Sequence, residues 1–129
     1  LSRGGGGVKT FLGAKIHGIR VTEKHVTYNG SVAVDRSLLE VVGIEAYEQV
    51  HVVNLTNGQR WITYVLPSDD AGIFALNGGG ARLGEVGDVC VLMAFDLLEE
   101  YAPAFVLHLN ERNEIERQYY YGGPPDANT

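Results

Sequence analysis

Cysteine, lysine and long apolar runs are all scarce in this chain, and each scarcity closes off a class of protein. Cys90 is the sole cysteine among 129 residues, so no internal disulfide and no cysteine-rich zinc site can form. A lone thiol suits a reducing compartment. Lysine occurs only at Lys9, Lys15 and Lys24, and the formal net charge is -6. That argues against a nucleic-acid module, which needs clustered Lys and Arg against phosphates. No apolar run reaches the length of a membrane span, and the opening "LSRGGGGVK" lacks the apolar centre of a signal peptide. A cytoplasmic protein with no nucleic-acid or membrane partner and no metal site is expected.

What is present is ordinary for one globular domain. Hydrophobic residues make up 45% and charged residues 20% of the chain, enough to bury a core without covalent staples. Residues 1–7, with Gly4 to Gly7, read as a flexible leader. Residues 8–117 read as the domain, and residues 118–129, with "YYYGGPP", as a loose tail. Within the domain the pattern is mostly short strands. "KIHGIRVT" alternates, placing Lys15, His17, Ile19 and Val21 on one face. Asp35 can cap a short helix, "RSLLEVV", that Gly43 ends. "QVHVVNL", Asn57-Gly58 and "QRWITYVL" read as the clearest hairpin. "IFALN", "DVCVLMAF" and "AFVLHLN" read as further strands, "ARLGE" as a helical turn and "DLLEEYAP" as irregular or helical.

One stretch asks for more. Asn29-Gly30 is a strong hairpin-turn signal, as are Asn57-Gly58 and Asn77-Gly78, but only Gly30 is followed by a serine, Ser31. There is also an internal echo. "LLEVVGIEAYEQVHVVNL" and "ARLGEVGDVCVLMAF" each pass from a short helical piece through glycine into a Val-rich strand. Two related halves of short strands suggest a small closed barrel.

Five segments then stand in a telling order: Lys15-Ile16-His17, Tyr28-x-Gly30-Ser31, "TNGQRWITY" (Thr56 to Tyr64), "NGGGA" (Asn77 to Ala81) and "VGDVCVLMAF" (Val86 to Phe95). No one of them is specific. As an ordered set over about residues 8–117, the chain resembles the pyruvoyl-dependent aspartate 1-decarboxylase family. The resemblance implies a mainly β fold, a small double-psi β-barrel with short helices, assembled as a homotetramer. It implies decarboxylation of L-aspartate to β-alanine for pantothenate synthesis. It also leaves room for a maturation factor.

Decarboxylating an α-amino acid leaves electrons on the α-carbon, and no ordinary side chain accepts them, so a carbonyl electron sink is required. The resemblance implies that the chain makes its own. The Ser31 hydroxyl attacks the Gly30 carbonyl and the amide becomes an ester. Elimination and hydrolysis then leave a pyruvoyl group at position 31, which forms a Schiff base with the substrate amine. Serine serves because its oxygen is both nucleophile and leaving group. Glycine before it opens the carbonyl to attack.

The remaining roles follow the same resemblance. Tyr64 would return the proton to the α-carbon, Thr63 would assist cleavage, and Asn77 would steady the cleavage site or cap the following turn. Tyr28 would hydrogen-bond the imine or flank the turn. Arg60 would grip a carboxylate with its fork, Lys15 would contact the substrate carboxylate, and Gly78, Gly79 and Gly80 would offer backbone N–H groups. Arg60 and Tyr64, four apart on one strand, share a face. Thr63 and Trp61 share the other, where Trp61 packs. His17 reads as a satisfied histidine. The chain departs from the family pattern at Gly79 and Gly80, where alanines are usual, and at Gly18, where a basic residue is common. Two rivals remain: the same chemistry on glutamate, one methylene longer, and a non-catalytic barrel used for binding or assembly.

Overall fold

The computed structural model describes residues 6–122; most of the leader and the end of the tail lie outside them. Nine strands follow in chain order: β1 (Lys9–Arg20), β2 (Glu23–His25), β3 (Ser31–Asp35), β4 (Gln49–Asn54), β5 (Arg60–Ser68), β6 (Phe74–Asn77), β7 (Val89–Leu98), β8 (Ala104–Leu109) and β9 (Ile115–Tyr121). Helix α1 (Arg36–Val42) lies between β3 and β4, and a short 3-10 helix covers Gly78–Leu83.

The hydrogen-bonded order is β2-β6-β3-β5-β4-β7-β1-β8-β9. Parallel pairs β1/β8, β3/β5 and β2/β6 are interleaved with antiparallel ones. This mixed pairing of strands distant in sequence gives the mainly β barrel with short helices that was expected. The sheet curls because the segment between β1 and β2 bonds to β6: Thr22 N–H donates to the Phe74 carbonyl at 2.8 Å and Phe74 N–H to the Thr22 hydroxyl at 2.9 Å.

Alternation along the strands fills the interior. Ile16, Val32, Val34, Val50, Val52, Val65, Phe74, Leu76, Leu92 and Leu107 are wholly buried. Each such side chain contributes about 1.5–3 kcal/mol relative to exposure. Leu38, Leu39 and Val42 close one side from α1. That helix begins where the Asp35 carboxylate accepts from Ser37 N–H and ends at Gly43 with φ 81°, as its caps predict. The β4–β5 hairpin also forms as expected, with Val50 opposite Thr63.

Five expectations are corrected. A bulge interrupts β1 between His17 and Ile19, with Gly18 at φ 85°. The extra residue reverses the alternation, so Lys15 and His17 face outward while Ile19 and Val21 enter the core. The tail is strand as far as Tyr121, because β9 pairs antiparallel with β8 and covers an otherwise bare edge. "DLLEE" is not helical at its start, since β7 runs through Leu98, and the turn expected at "ARLGE" begins earlier, at Gly78.

The last correction concerns "YNGS". Strand β6 lies between β2 and β3, so these two strands do not pair with each other. Residues 26–30 carry the chain across the end of β6 instead of making a two-residue hairpin. Neither Asn29 nor Gly30 has positive φ.

Candidate active site

The backbone strain that a tight turn would have placed on Asn29-Gly30 sits one residue later. Ser31 has φ 118°, a region that side-chain-bearing residues rarely enter, and such placements cost about 1–3 kcal/mol. Its side chain is buried, and in the antiparallel ladder it stands directly opposite Asn77. The Asn77 Nδ2 donates to Ser31 Oγ at 3.1 Å. The other amide atom, Asn77 Oδ1, is buried and has no partner. A buried polar atom left so costs about 1–3 kcal/mol.

Glycine is required behind this corner. A Cβ at Gly78 would lie 2.9 Å from both the Cα and N of Gly30 and 3.0 Å from the Tyr28 carbonyl, and Gly78 itself has φ 66°. Gly30, by contrast, has nothing within 4 Å of where a Cβ would project. Gly30 is thus packed closely against Gly78 and open where its own Cβ would project.

The open side is a cleft of about 650 Å³ whose lining includes Tyr28, Gly30, Ser31, Tyr47, Tyr64, Leu66 and Asn77. Tyr64 arrives because β3 and β5 are parallel with Val32 beside Val65, which sets Tyr64 at the level of Ser31. Tyr28 is held by stacking on His25, with ring centroids 4.6 Å apart at 16°. A slightly larger cavity of about 760 Å³ beside α1, lined by Arg36, Glu40 and Glu45 among others, contains none of these groups. The site is chosen by chemistry, not by size.

Other expected residues lie elsewhere. Arg60 and Tyr64 do share the outer face of β5, but four residues of strand span about 13 Å, and Arg60 Nη2 instead approaches His51 Nδ1 at 3.4 Å. Thr63 and Trp61 point inward; Trp61 packs on the core, with its Nε1 2.8 Å from where a Gly80 Cβ would stand. Lys15, on β1, is separated from β3 in the sheet by β5, β4 and β7. Its ammonium lies 5.8 Å from the Tyr121 ring centroid. His17 stacks on His108 at 4.8 Å. None of Gly78, Gly79 and Gly80 lines the cleft, and no Lys or Arg does.

The electrostatics also narrow the chemistry. Burial first, and the Asp88 charge second, push the Cys90 thiol up to about 12, so it cannot act as a thiolate nucleophile at neutral pH. Among the described residues no cluster of His, Cys, Asp and Glu could hold a metal ion. No helix among them is long and apolar enough to cross a membrane. The residues at the corner do fit a self-made carbonyl cofactor: a strained serine, a glycine before it with open space beside its Cα, and a buried amide atom left unpaired.

Sequence reading missed two residues of note. Tyr47 lines the cleft from the turn after α1, and no motif flagged it. Asn113, at φ 59°, ties the barrel shut between β1 and the start of β6.

Comparison with known proteins shows a family for this chain. A family model described as "Aspartate decarboxylase" matches residues 8–116. The aspartate 1-decarboxylase of Bacillus licheniformis is 43% identical over 114 residues, covering 84% of this chain and 89% of the relative. That of Acaryochloris marina is 42% identical over 114 residues, covering 84% and 87%. That of Campylobacter jejuni is 44% identical over 108 residues, covering 81% and 86%. Among solved structures, the computationally designed msDPBB_sym2 protein aligns with a TM-score of 0.47 at 22% identity, covering 67% of this chain and 99% of that one.

Proposed function

Because the chain belongs to the aspartate decarboxylase family, we propose that it cleaves itself between Gly30 and Ser31 and decarboxylates L-aspartate to β-alanine for pantothenate synthesis. The observation that carries this reading is the Ser31 corner. One residue combines a strained φ, a buried hydroxyl and an adjacent glycine peptide open to a cleft.

In this reading Ser31 Oγ attacks the Gly30 carbonyl carbon, the C–N bond breaks, and the acyl group moves to oxygen as an ester. Moving the carbonyl off nitrogen releases the chain from the φ that Ser31 is forced to hold. Asn77 Nδ2 fixes the hydroxyl's rotamer for that attack. Loss of the Ser31 α-proton expels the Gly30 carboxylate, and hydrolysis of the resulting dehydroalanine releases ammonia. When formed, the pyruvoyl group at position 31 supplies the electron sink for carbon dioxide loss. Tyr64, level with position 31, would hold a phenolic proton toward the α-carbon. Tyr28 lines the same cleft.

A substrate with two carboxylates needs cations, and one chain offers none in the cleft. Lys15 and Arg60 lie on the outer sheet face, together with the exposed Ile62. We infer a homotetramer in which that face of one subunit abuts the Ser31 cleft of the next. Arg60 and Lys15 would then reach the carboxylates, and Gly78, Gly79 and Gly80 could offer N–H groups along the shared boundary. A cytoplasmic location fits the single, buried cysteine.

Denaturing mass spectrometry of purified protein, followed by assay with aspartate and glutamate, tests the reading. Two fragments, residues 1–30 and 31–129, and β-alanine from aspartate alone are expected. Ser31→Ala should stay whole and inactive. A wild-type chain that remains at 14.0 kDa and releases no carbon dioxide would return the protein to a binding or assembly role.

A further inference from the structure

Tyr47 occupies a position that suits it badly. It lies in the turn between α1 and β4 with φ 68°, a left-handed conformation that glycine or asparagine adopts at little cost and a residue with an aromatic side chain does not. The turn is fixed from outside, since Tyr47 N–H donates to the Val65 carbonyl at 2.8 Å. Burial does not compensate, because the side chain is 74% exposed in the chain. Neither backbone preference nor core packing therefore accounts for a tyrosine here.

What the ring does is meet Tyr64. The two rings lie nearly parallel, 16° apart, with centroids at 6.2 Å, within the range of offset stacking. Both line the Ser31 cleft. The same backbone hydrogen bond that strains Tyr47 anchors it to the residue after Tyr64, so the two aromatics are locked as a unit. Tyr64 is half-buried and, among the described residues, its hydroxyl has no hydrogen-bond partner that would set its direction.

We propose that Tyr47 is a positioning residue for decarboxylation: its ring holds the Tyr64 phenol over position 31 and shields that side of the cleft from water. This rests on the reading of Tyr64 as the proton donor. Strain in the turn is retained because the aromatic contact, and not the turn, serves the reaction.

The test uses three variants of the full chain. Tyr47→Gly and Tyr47→Asn relieve the backbone and delete the ring, whereas Tyr47→Phe keeps both ring and strain. All three should mature to the same two fragments as wild type. The Gly and Asn variants should melt at or above the wild-type temperature, yet lose kcat by about tenfold or more with KM for aspartate changed less than about threefold. The Phe variant should keep kcat within about threefold. In heavy water, wild type and Phe should place the new deuterium on one prochiral face of β-alanine, and the Gly variant on both. A Gly or Asn variant with wild-type kcat and single-face labelling overturns the proposal, as does a Phe variant that falls as far as Gly. A wild-type chain that never cleaves overturns the family mechanism first, so the two failures are told apart.

Discussion

Two buried corners of this barrel are built from the same parts and end in opposite states. At one, Asn113 has φ 59° and a buried amide. At the other, Ser31 has φ 118° and faces the buried amide of Asn77. Asn113 settles every demand: its Oδ1 accepts from Arg20 N–H at 2.8 Å, and its Nδ2 donates to the Arg20 carbonyl at 2.9 Å and the Gly72 carbonyl at 2.8 Å. Asparagine is also among the few residues that tolerate its backbone angle. Asn77 satisfies one amide atom and leaves the other unpaired, beside a serine in a conformation serine disfavours. The first corner closes the barrel. The second is held unsatisfied by the rest of the fold, which is how a site stores what a reaction can release.

This contrast can be broken in order of effect. Asn77→Ala should slow cleavage at Gly30-Ser31 by about 10²-fold, the loss usual for one well-placed donor, while shifting the urea midpoint little, because the lost amide already carried an unpaired atom. Timed mass spectrometry of freshly made protein reads the first effect and denaturation reads the second. Asn113→Ala should do the reverse. It should destabilise the fold by about 2 kcal/mol through three broken bonds and newly stranded backbone groups, at fixed protein concentration, and leave the rate of cleavage in the folded chain unchanged.

The smallest effect is a pH dependence of stability. Burial, with Lys15 and Arg20 behind it, lowers the His17 pKa; burial, with His17, Arg117 and Lys15 behind it, lowers that of His108, against a small opposing effect of Glu116. Both rings therefore take up protons more readily in the unfolded chain. Stability should be complete above the ordinary imidazole value of about 6.5. It should decline as pH falls below that value and level off once the folded-state rings are protonated. Thermal melting between pH 7.5 and 5 should show this slope, and a His17→Gln, His108→Gln double variant should flatten it.

Much of the fold was legible because local rules govern it. The Asp35 cap, the Gly43 stop, the hairpin across Asn57-Gly58 and the inward valines all follow from residue type and period. The bulge at Gly18 was not, since a glycine in an alternating strand does not announce which partner register it will break. Nor was β9, whose tyrosines become strand only because β8 presents an open edge. At the site, Ser31, Gly30, Tyr28, Tyr64 and Asn77 were named from the sequence and meet in one cleft. Lys15, Arg60 and Thr63 were named and do not. Tyr47 escaped notice, because a tyrosine is conspicuous only once its backbone angle is known.

The sequence by itself determined which chemistry was available: a glycine-serine peptide, few cations, a single cysteine and a set of strands whose alternation allowed a single core. Only the tertiary structure decided where the strain falls. Placing β6 between β2 and β3 replaced a tight turn with a crossing, and it brought Asn77 opposite Ser31 and Gly78 against Gly30. The reason is physical. Residue types fix what a bond can do, whereas the contacts that hold it in a costly geometry come from segments more than forty residues away.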